Sequence, residues 1–442
     1  SRRAGRAYAG RTLVYEDTVR DVDVRLGCRL TDQLAGPLGL VLDSAAWLAN
    51  AVGERCEAQA LELFDRELAR SGRNAMPLLQ LAIAVLPELG LLGTTDCEPE
   101  LVRDVVTEFQ RRWRTVLGLP LEAFEAVRLH QVTADAIAER AAAEFATGPP
   151  RWSSAGWHSP DVMLAADDAA ALARGDVDVI LGELHCATNT LEGRVFYNQH
   201  PAGDRLRAAA AASGMDRRIL FVPRRDAPLA TSRMAWPTEM MLPTYTYVCI
   251  GEESVAPPAG ATVLPAVDLV VQRRADALVI RHRESGAEYG FLEVLGEPLS
   301  LLVSSQFRPI GGTARHRPRI TIDSMVLSRE AWTFPVAESA WAFVKDEQDR
   351  YVGARRWRAA HGLPERGFFR VPVELKPMAV DFRSLPLVNL LAKSIRASAE
   401  AGRGEVTITE MLPDIDRLWL EDARGARYTA ELRIVAVRSP GH

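Results

Sequence analysis

The sequence predicts an α+β chain, with a helical N-terminal third followed by mixed α/β segments that carry antiparallel hairpins. Three observations predict it. Leu30, Leu34, Leu38 and Leu42 recur every four residues, and Leu101, Val105, Phe109, Trp113 and Leu117 form a second stripe of the same kind; that period places apolar side chains on one helix face. Val177–Leu184 (VDVILGEL) is instead a short, nearly continuous apolar run, the pattern of a buried strand. Val267–Gln272, Ala277–His282 and Tyr289–Val294 are runs divided by polar turns, which reads as a meander.

In chain order, residues 28–147 read as helices. Asp43-Ser44 precede a second apolar run through Trp47, and Leu61, Phe64 and Leu68 continue the pattern. An Ala-rich helix over residues 121–146 closes this set, and Gly148-Pro149-Pro150 ends it because proline cannot continue a helix. Beyond Arg151 come a helix at Leu206–Ala212, a strand at Ile219–Val222 and aromatic alternation at Tyr245 and Tyr247. After Pro318 the sequence predicts strands in ITIDSMVL, a helix near Glu347–Ala360, and strands at Phe368–Val371 and Met378–Phe382. A helix at Leu387–Ala399 leads to VTITEML, and Arg417–Leu420 and Tyr428–Val437 flank a turn at Asp422–Ala426. The expected divisions are 1–150, 151–317 and 318–442.

Composition narrows the function classes. A chain of 442 residues suggests about two to four domains. Its net charge of −5 argues against general nucleic-acid affinity, so any polyanion must be met by local arginine patches. Only Lys345, Lys376 and Lys393 are lysines; this arginine bias suits phosphate recognition but follows more readily from a GC-rich genome. The cysteines Cys28, Cys56, Cys97, Cys186 and Cys249 contain no CxxC pair, which fits a reduced, cytoplasmic setting without a cysteine zinc site. No apolar run is long enough to predict a membrane span.

Two stretches concentrate polar chemistry. In Tyr8–Asp17 (YAGRTLVYED), a strand would hold Arg11 and Asp17 at opposite ends. Arg11 offers a fork of donors for phosphate or carboxylate, and adjacent Glu16 and Asp17 favour a raised pKa on one of them, as a general base requires. The plainer reading is a surface strand with solvated ion pairs. In Gly182–His200 (GELHCATNTLEGRVFYNQH), a buried strand runs into a polar loop containing Asn189, Arg194 and His200. Glu183, His185 and His200 include metal-binding donor types, but their spacing matches no compact metal signature, so no metal is assigned. A hydrogen-bonded structural His185 is the alternative. Arg224, Arg225 and Arg233 form a basic group, and Gly311-Gly312 before Arg315, Arg317 and Arg319 reads either as an anion cradle or as a turn. GxxxxGK[ST], GxGxxG and GxSxG are all absent, which excludes the ordinary P-loop, dinucleotide-binding and α/β-hydrolase signatures.

Seven motifs then occur in order between the first residues and Arg433: YAGRTLVYED; SPDVMLAA with GDVDVILGELH; PRITIDSMVLSREAWTF; RRWRAAHGLPERGFFR; ELKPMAVDF; ITEMLPDIDRLWLED; and GARYTAELR. Together they resemble the lantibiotic dehydratase (LanB-type) N-terminal glutamylation domain, a group that includes the peptide aminoacyl-tRNA ligases. The resemblance implies an enzyme acting on a ribosomally made precursor peptide with aminoacyl-tRNA as co-substrate and no tightly bound cofactor. The dehydratase branch implies glutamyl transfer from glutamyl-tRNA to Ser or Thr side chains, in lanthipeptide-type or thiopeptide-type biosynthesis. The ligase branch implies ATP-dependent addition at the peptide C-terminus. A non-catalytic peptide-binding scaffold is the reading from another class. The family normally carries several hundred residues before YAGRTLVYED, so this chain resembles the C-terminal part of the domain. The remainder of the enzyme, on the same chain or a partner subunit, is an expected partner, and a homodimer is a further assembly considered.

By the same resemblance Asp17 is the essential aspartate, with Glu16 and Arg11 beside it as catalytic residues. Arg194, Arg233, Glu183 and His185 are the expected substrate- and tRNA-binding residues.

Overall fold

The computed structural model describes residues 16, 18–84, 87, 99–119, 127–225, 237–311, 314–374 and 376–438. The first helix among the described residues is α1 (Cys28–Ser71), a single 44-residue helix. It runs unbroken through Asp43-Ser44, where Ser44 is fully buried and its hydroxyl donates to the Val41 carbonyl within the helix. α1 ends at Gly72, whose φ of 66° is the left-handed conformation that glycine adopts cheaply. After it come β1 (Ala75–Pro77), α2 (Leu78–Ala84) and α3 (Glu100–Leu117), whose predicted stripe buries Val105, Phe109, Trp113 and Leu117.

The Ala-rich helix is shorter than the sequence suggests. Residues Leu129–Val132 form strand β2, and only Ala134–Glu144 form α4, started by the Thr133 side chain accepting the Ala136 N–H. β2 is decided by a distant partner, the strand Arg319–Ile322, with which it pairs in parallel. The next elements are β3 (Trp157–Ala165), α5 (Ala169–Arg174), β4 (Asp178–Cys186), α6 (Arg194–Gln199) and α7 (Gly203–Ala212). Strands β5 (Ile219–Phe221), β6 (Thr246–Cys249) and β7 (Thr262–Pro265) make a small parallel sheet.

The meander forms as β8 (Leu269–Arg274), β9 (Ala277–His282) and β10 (Glu288–Gly290), with β1 added at its edge. Its third run stops early, because Phe291–Val294 turns into helix α8 after Gly290 and leads to α9 (Gly296–Val303). β11 (His316–Arg317), β12 (Arg319–Ile322), β13 (Met325–Ser328) and β14 (Ala331–Pro335) follow, then α10 (Glu347–Ala360), β15 (Arg366–Arg370), β16 (Met378–Asp381), α11 (Leu385–Glu400) and β17 (Glu405–Glu410). The closing turn at Asp422–Ala426 joins β18 (Leu420–Glu421) to β19 (Arg427–Tyr428). The rest of the predicted final strand separates into β20 (Glu431–Arg433) and β21 (Ala436–Val437), both pairing with β3. That pairing joins residues far apart in sequence, so no local pattern announces it.

The result is an α+β fold among the described residues. Its largest sheet runs β2-β12-β13-β4-β3-β20, and a five-stranded sheet runs β11-β14-β17-β15-β16. The main core joins α1, α3 and the large sheet, while Trp332, Phe334, Trp357, Phe369 and Val388 belong to a second core under the five-stranded sheet. Trp152 helps lock the first core: Cβ atoms added at Gly53 or Gly296 would come within 2.8 Å and 3.0 Å of its ring, and its Nε1 donates to Ser300 Oγ at 3.1 Å. Arg128 and His316 pair with Glu330, Arg319 pairs with Glu410, and Glu410 accepts the Glu330 N–H at 2.8 Å; these bonds tie the two sheets together.

Candidate active site

The polar residues of GELHC lie where β4 pairs with β3, which on its other side pairs with the sequence-distant β20. β3 and β4 are antiparallel, with His185 opposite Ser159 and an irregularity between Pro160 and Val162. β20 pairs with the other side of β3, with Arg433 opposite Asp161. Side chains two apart on a strand share a face, so Glu183 joins His185, and Glu431 joins Arg433. Asp161 lies between the two pairs. The close approach depends on Gly182, where a Cβ would lie 3.2 Å from the Asp161 carbonyl oxygen.

Within this cluster His185 Nε2 lies 3.7 Å from Asp161 Oδ2 and 3.6 Å from Glu183 Oε2. Arg433 pairs with Asp161 Oδ2 at 3.0 Å and with Glu431 Oε1 at 3.0 Å, while its guanidinium sits 4.9 Å from the Phe196 ring. The side chain of Asp161 is 5% exposed, that of His185 22% and that of Glu183 82%. The cluster therefore runs from a buried carboxylate to an open one. Burial raises the Glu431 pKa, and the Asp161 charge raises it further against the opposing pull of Arg433.

The loop after β4 is held by a different network. Arg218 Nη1 donates to Glu192 Oε1 at 2.8 Å, and its Nε donates to Glu297 Oε1 at 2.9 Å. Ser154 Oγ also donates to Glu297 Oε1, at 3.1 Å. Trp157 and Tyr245 flank the guanidinium at 4.6 and 5.4 Å. Burial alone would discharge Arg218, but Glu192 and Glu297 outweigh it and raise its pKa. For Glu192 burial dominates and raises the pKa despite Arg218. The adjacent His158 is fully buried and pushed down to about 3, by desolvation first and Arg438 second. It is thus a neutral structural imidazole, with its Nδ1 accepting the Ala187 N–H at 3.4 Å.

Of the predicted site residues, Glu183 and His185 lie side by side on one face of β4. Arg194 lies at the start of α6, two residues before Phe196, and makes no ion pair among the described residues. His200 is exposed and outside the cluster, its Nδ1 accepting the Ala202 N–H at 3.0 Å, so the Glu183–His185–His200 grouping is replaced by one containing Asp161. Glu16 is exposed in an irregular segment. Asp17, Arg11 and Arg233 lie outside the described residues, as does the strand expected for Tyr8–Tyr15.

The helical arginines have partners: Arg111 and Arg112 bind Glu108, and Arg114 donates to the Gly311 carbonyl. Arg224 pairs with Glu252, and Arg225 donates to the Glu253 carbonyl. Arg315 pairs with Glu338 and Arg319 with Glu410, whereas desolvation lowers the pKa of Arg317. Sequence reasoning did not select Asp161, Glu431 or Arg433 as site residues. Asp161 lies in the quoted SPDVMLAA motif, but its partner across the strands, Arg433, is more than 270 residues away.

No family model matches the sequence, and no curated protein matches it at a significant level. Solved structures do. The glutamylation domain TbtB, from thiomuracin biosynthesis, has a TM-score of 0.51 at 17% identity, over 93% of this chain and 50% of that one. The same domain bound to 5'-phosphodesmethylglutamycin gives 0.51 at 16% identity, over 92% and 50%. The tRNA-dependent lantibiotic dehydratase MibB from Microbispora sp. 107891 gives 0.50 at 18% identity, over 84% and 36%. The fold is therefore that of the LanB-type glutamylation domains, as the ordered motifs imply. The chain spans half or less of the length of these structures.

Proposed function

We propose that this chain is part of an enzyme that modifies a ribosomally synthesised precursor peptide with an aminoacyl group carried by tRNA. The reading rests on one observation: over 93% of its length the chain shares the fold of a glutamylation domain. The transfer proposed is glutamyl, from glutamyl-tRNA to a peptide Ser or Thr hydroxyl, in lanthipeptide-type or thiopeptide-type biosynthesis. The hydroxyl oxygen attacks the ester carbonyl, its proton passes to a carboxylate, and the tRNA 3′ oxygen leaves and is protonated. Asp17, with Glu16 beside it, is the proposed base. Arg11 stabilises charge on the carbonyl oxygen. Arg194 and Arg233 take the tRNA end, and Glu183 and His185 line the approach of the substrate. Because the ester is already activated, positioning carries much of the rate. The residues present form no recognised nucleotide-binding motif, and ATP enters only in the ligase reading. The setting is cytoplasmic, and the partners are the peptide, the charged tRNA and the rest of the enzyme.

The test is incubation of the complete enzyme with precursor peptide, charged tRNA and ATP, followed by intact-mass and fragment analysis. Glutamate on side chains supports this reading. One residue added at the C-terminus, with ATP consumed, selects the ligase reaction instead. No mass gain leaves the scaffold reading standing and overturns the enzymatic one. In this assay Asp17→Asn is expected to lower transfer by about 10²-fold or more while the thermal unfolding transition persists.

A further inference from the structure

Asp161, Glu183 and His185 come from two adjacent strands, and one ligand atom from each lies within 4.8 Å of the others. We propose that these three side chains form a divalent-metal site, of the kind zinc or manganese occupies, with an open coordination position on the Glu183 side.

The donor set suits such an ion. One imidazole nitrogen and two carboxylates fall between the all-oxygen shell of magnesium or calcium and the thiolate-rich shell of structural zinc. Two atoms bound to one tetrahedral zinc are roughly 3.4 Å apart, from metal–ligand bonds near 2.0–2.1 Å. The observed 3.6 and 3.7 Å from His185 Nε2 to the two carboxylates need only a few tenths of an ångström of contraction. Glu183 is the mobile partner because its side chain is 82% exposed. Three protein ligands and an outward-facing fourth position is the arrangement that admits water or a substrate oxygen.

The surrounding shell supports the same assignment. His185 Nδ1 lies 3.5 Å from Ser304 Oγ; if it donates there, Nε2 keeps its lone pair toward the carboxylates. Asp161 is 4% exposed, and its Oδ1 is buried without a hydrogen-bond partner among the described residues. A buried carboxylate oxygen in that state is costly unless something positive reaches it. Oδ2, the oxygen that faces His185 Nε2, also accepts the Arg433 ion pair at 3.0 Å, and Arg433 in turn holds Glu431. The three carboxylates Asp161, Glu183 and Glu431 cluster around the single guanidinium of Arg433, an excess of acidic groups that a dication would neutralise. The upward shift of the Glu431 pKa, from burial and then Asp161, agrees with that excess.

The site is testable without tRNA or peptide, so its failure is separable from failure of the reaction proposed above. The full chain, stripped with EDTA and dialysed, is titrated calorimetrically with zinc and with manganese, and bound metal is counted by elemental analysis. One equivalent per chain is expected for at least one ion. Glu183→Gln should weaken binding at least 10-fold and His185→Asn should remove it, while His200→Asn leaves it unchanged. Circular dichroism confirms that each variant is folded; Glu183→Gln, at an exposed position, is the variant that keeps the test decisive. Absence of stoichiometric binding by either ion overturns the proposal, as does equal affinity in the parent and Glu183→Gln. In that case the cluster is a structural polar contact between β3 and β4.

Discussion

Two polar networks flank β4, and their difference separates scaffold from site. Around Arg218, two carboxylates, a serine and two aromatic rings surround one guanidinium; the Arg218 and Glu192 side chains are only 4% and 3% exposed. Around Asp161, the carboxylates outnumber the arginine, one carboxylate oxygen has no described partner, and Glu183 opens to solvent. A buried network in which each charged group has an opposite partner resists change. A network with spare acceptors at its open end is suited to meeting something from outside.

Breaking the closed network should have the largest effect on folding. Arg218→Ala leaves Glu192 buried without its cation and is expected to cost about 3–5 kcal/mol in urea unfolding. If the loss is under 1 kcal/mol, Arg218 is not what holds the loop after β4. Acid should act next, through His158. Its folded pKa of about 3 lies below the ordinary 6.5, so the unfolded chain binds an extra proton between those values. The neutral buried ring therefore contributes fully above pH 6.5, and stability falls as pH drops toward 3, by at most about 1.4 kcal/mol per pH unit from this group. His158→Gln should flatten that slope in denaturant titrations run at several pH values.

Smaller effects sharpen the other side of the comparison. Gly182→Ala brings a methyl group 3.2 Å from the Asp161 carbonyl and is expected to cost about 1–2 kcal/mol while displacing Asp161. A crystal structure of that variant with Asp161 unmoved would remove Gly182 from the account of the site. Glu183→Gln should change unfolding stability by no more than about 0.5 kcal/mol, since the side chain is exposed. Peptide modification by the complete enzyme should nonetheless fall if Glu183 lines the substrate approach; unchanged modification would confine it to the surface.

What was legible beforehand follows from range. The stripe of α3, the buried run of β4, and the helices near Glu347–Ala360 and Leu387–Ala399 are local periodicities, and all four elements form. The errors involve distant partners or local caps. β2 reads as helix in the local pattern because its parallel partner β12 is about 190 residues away, and the third meander run becomes α8 once Gly290 begins a helix. Glu183 and His185 could be selected as strand-end polar residues. Asp161 could not be joined to them, because β3 was not itself recognised as a strand.

The sequence by itself determined the α+β class, most of the helices and the ordered motifs, because apolar spacing and turn residues act over a few positions. Only the tertiary structure decided that Asp161, Glu183, His185, Glu431 and Arg433 share one face. Strand pairing across hundreds of residues sets that arrangement, and the pleat then aims alternate side chains to the same side.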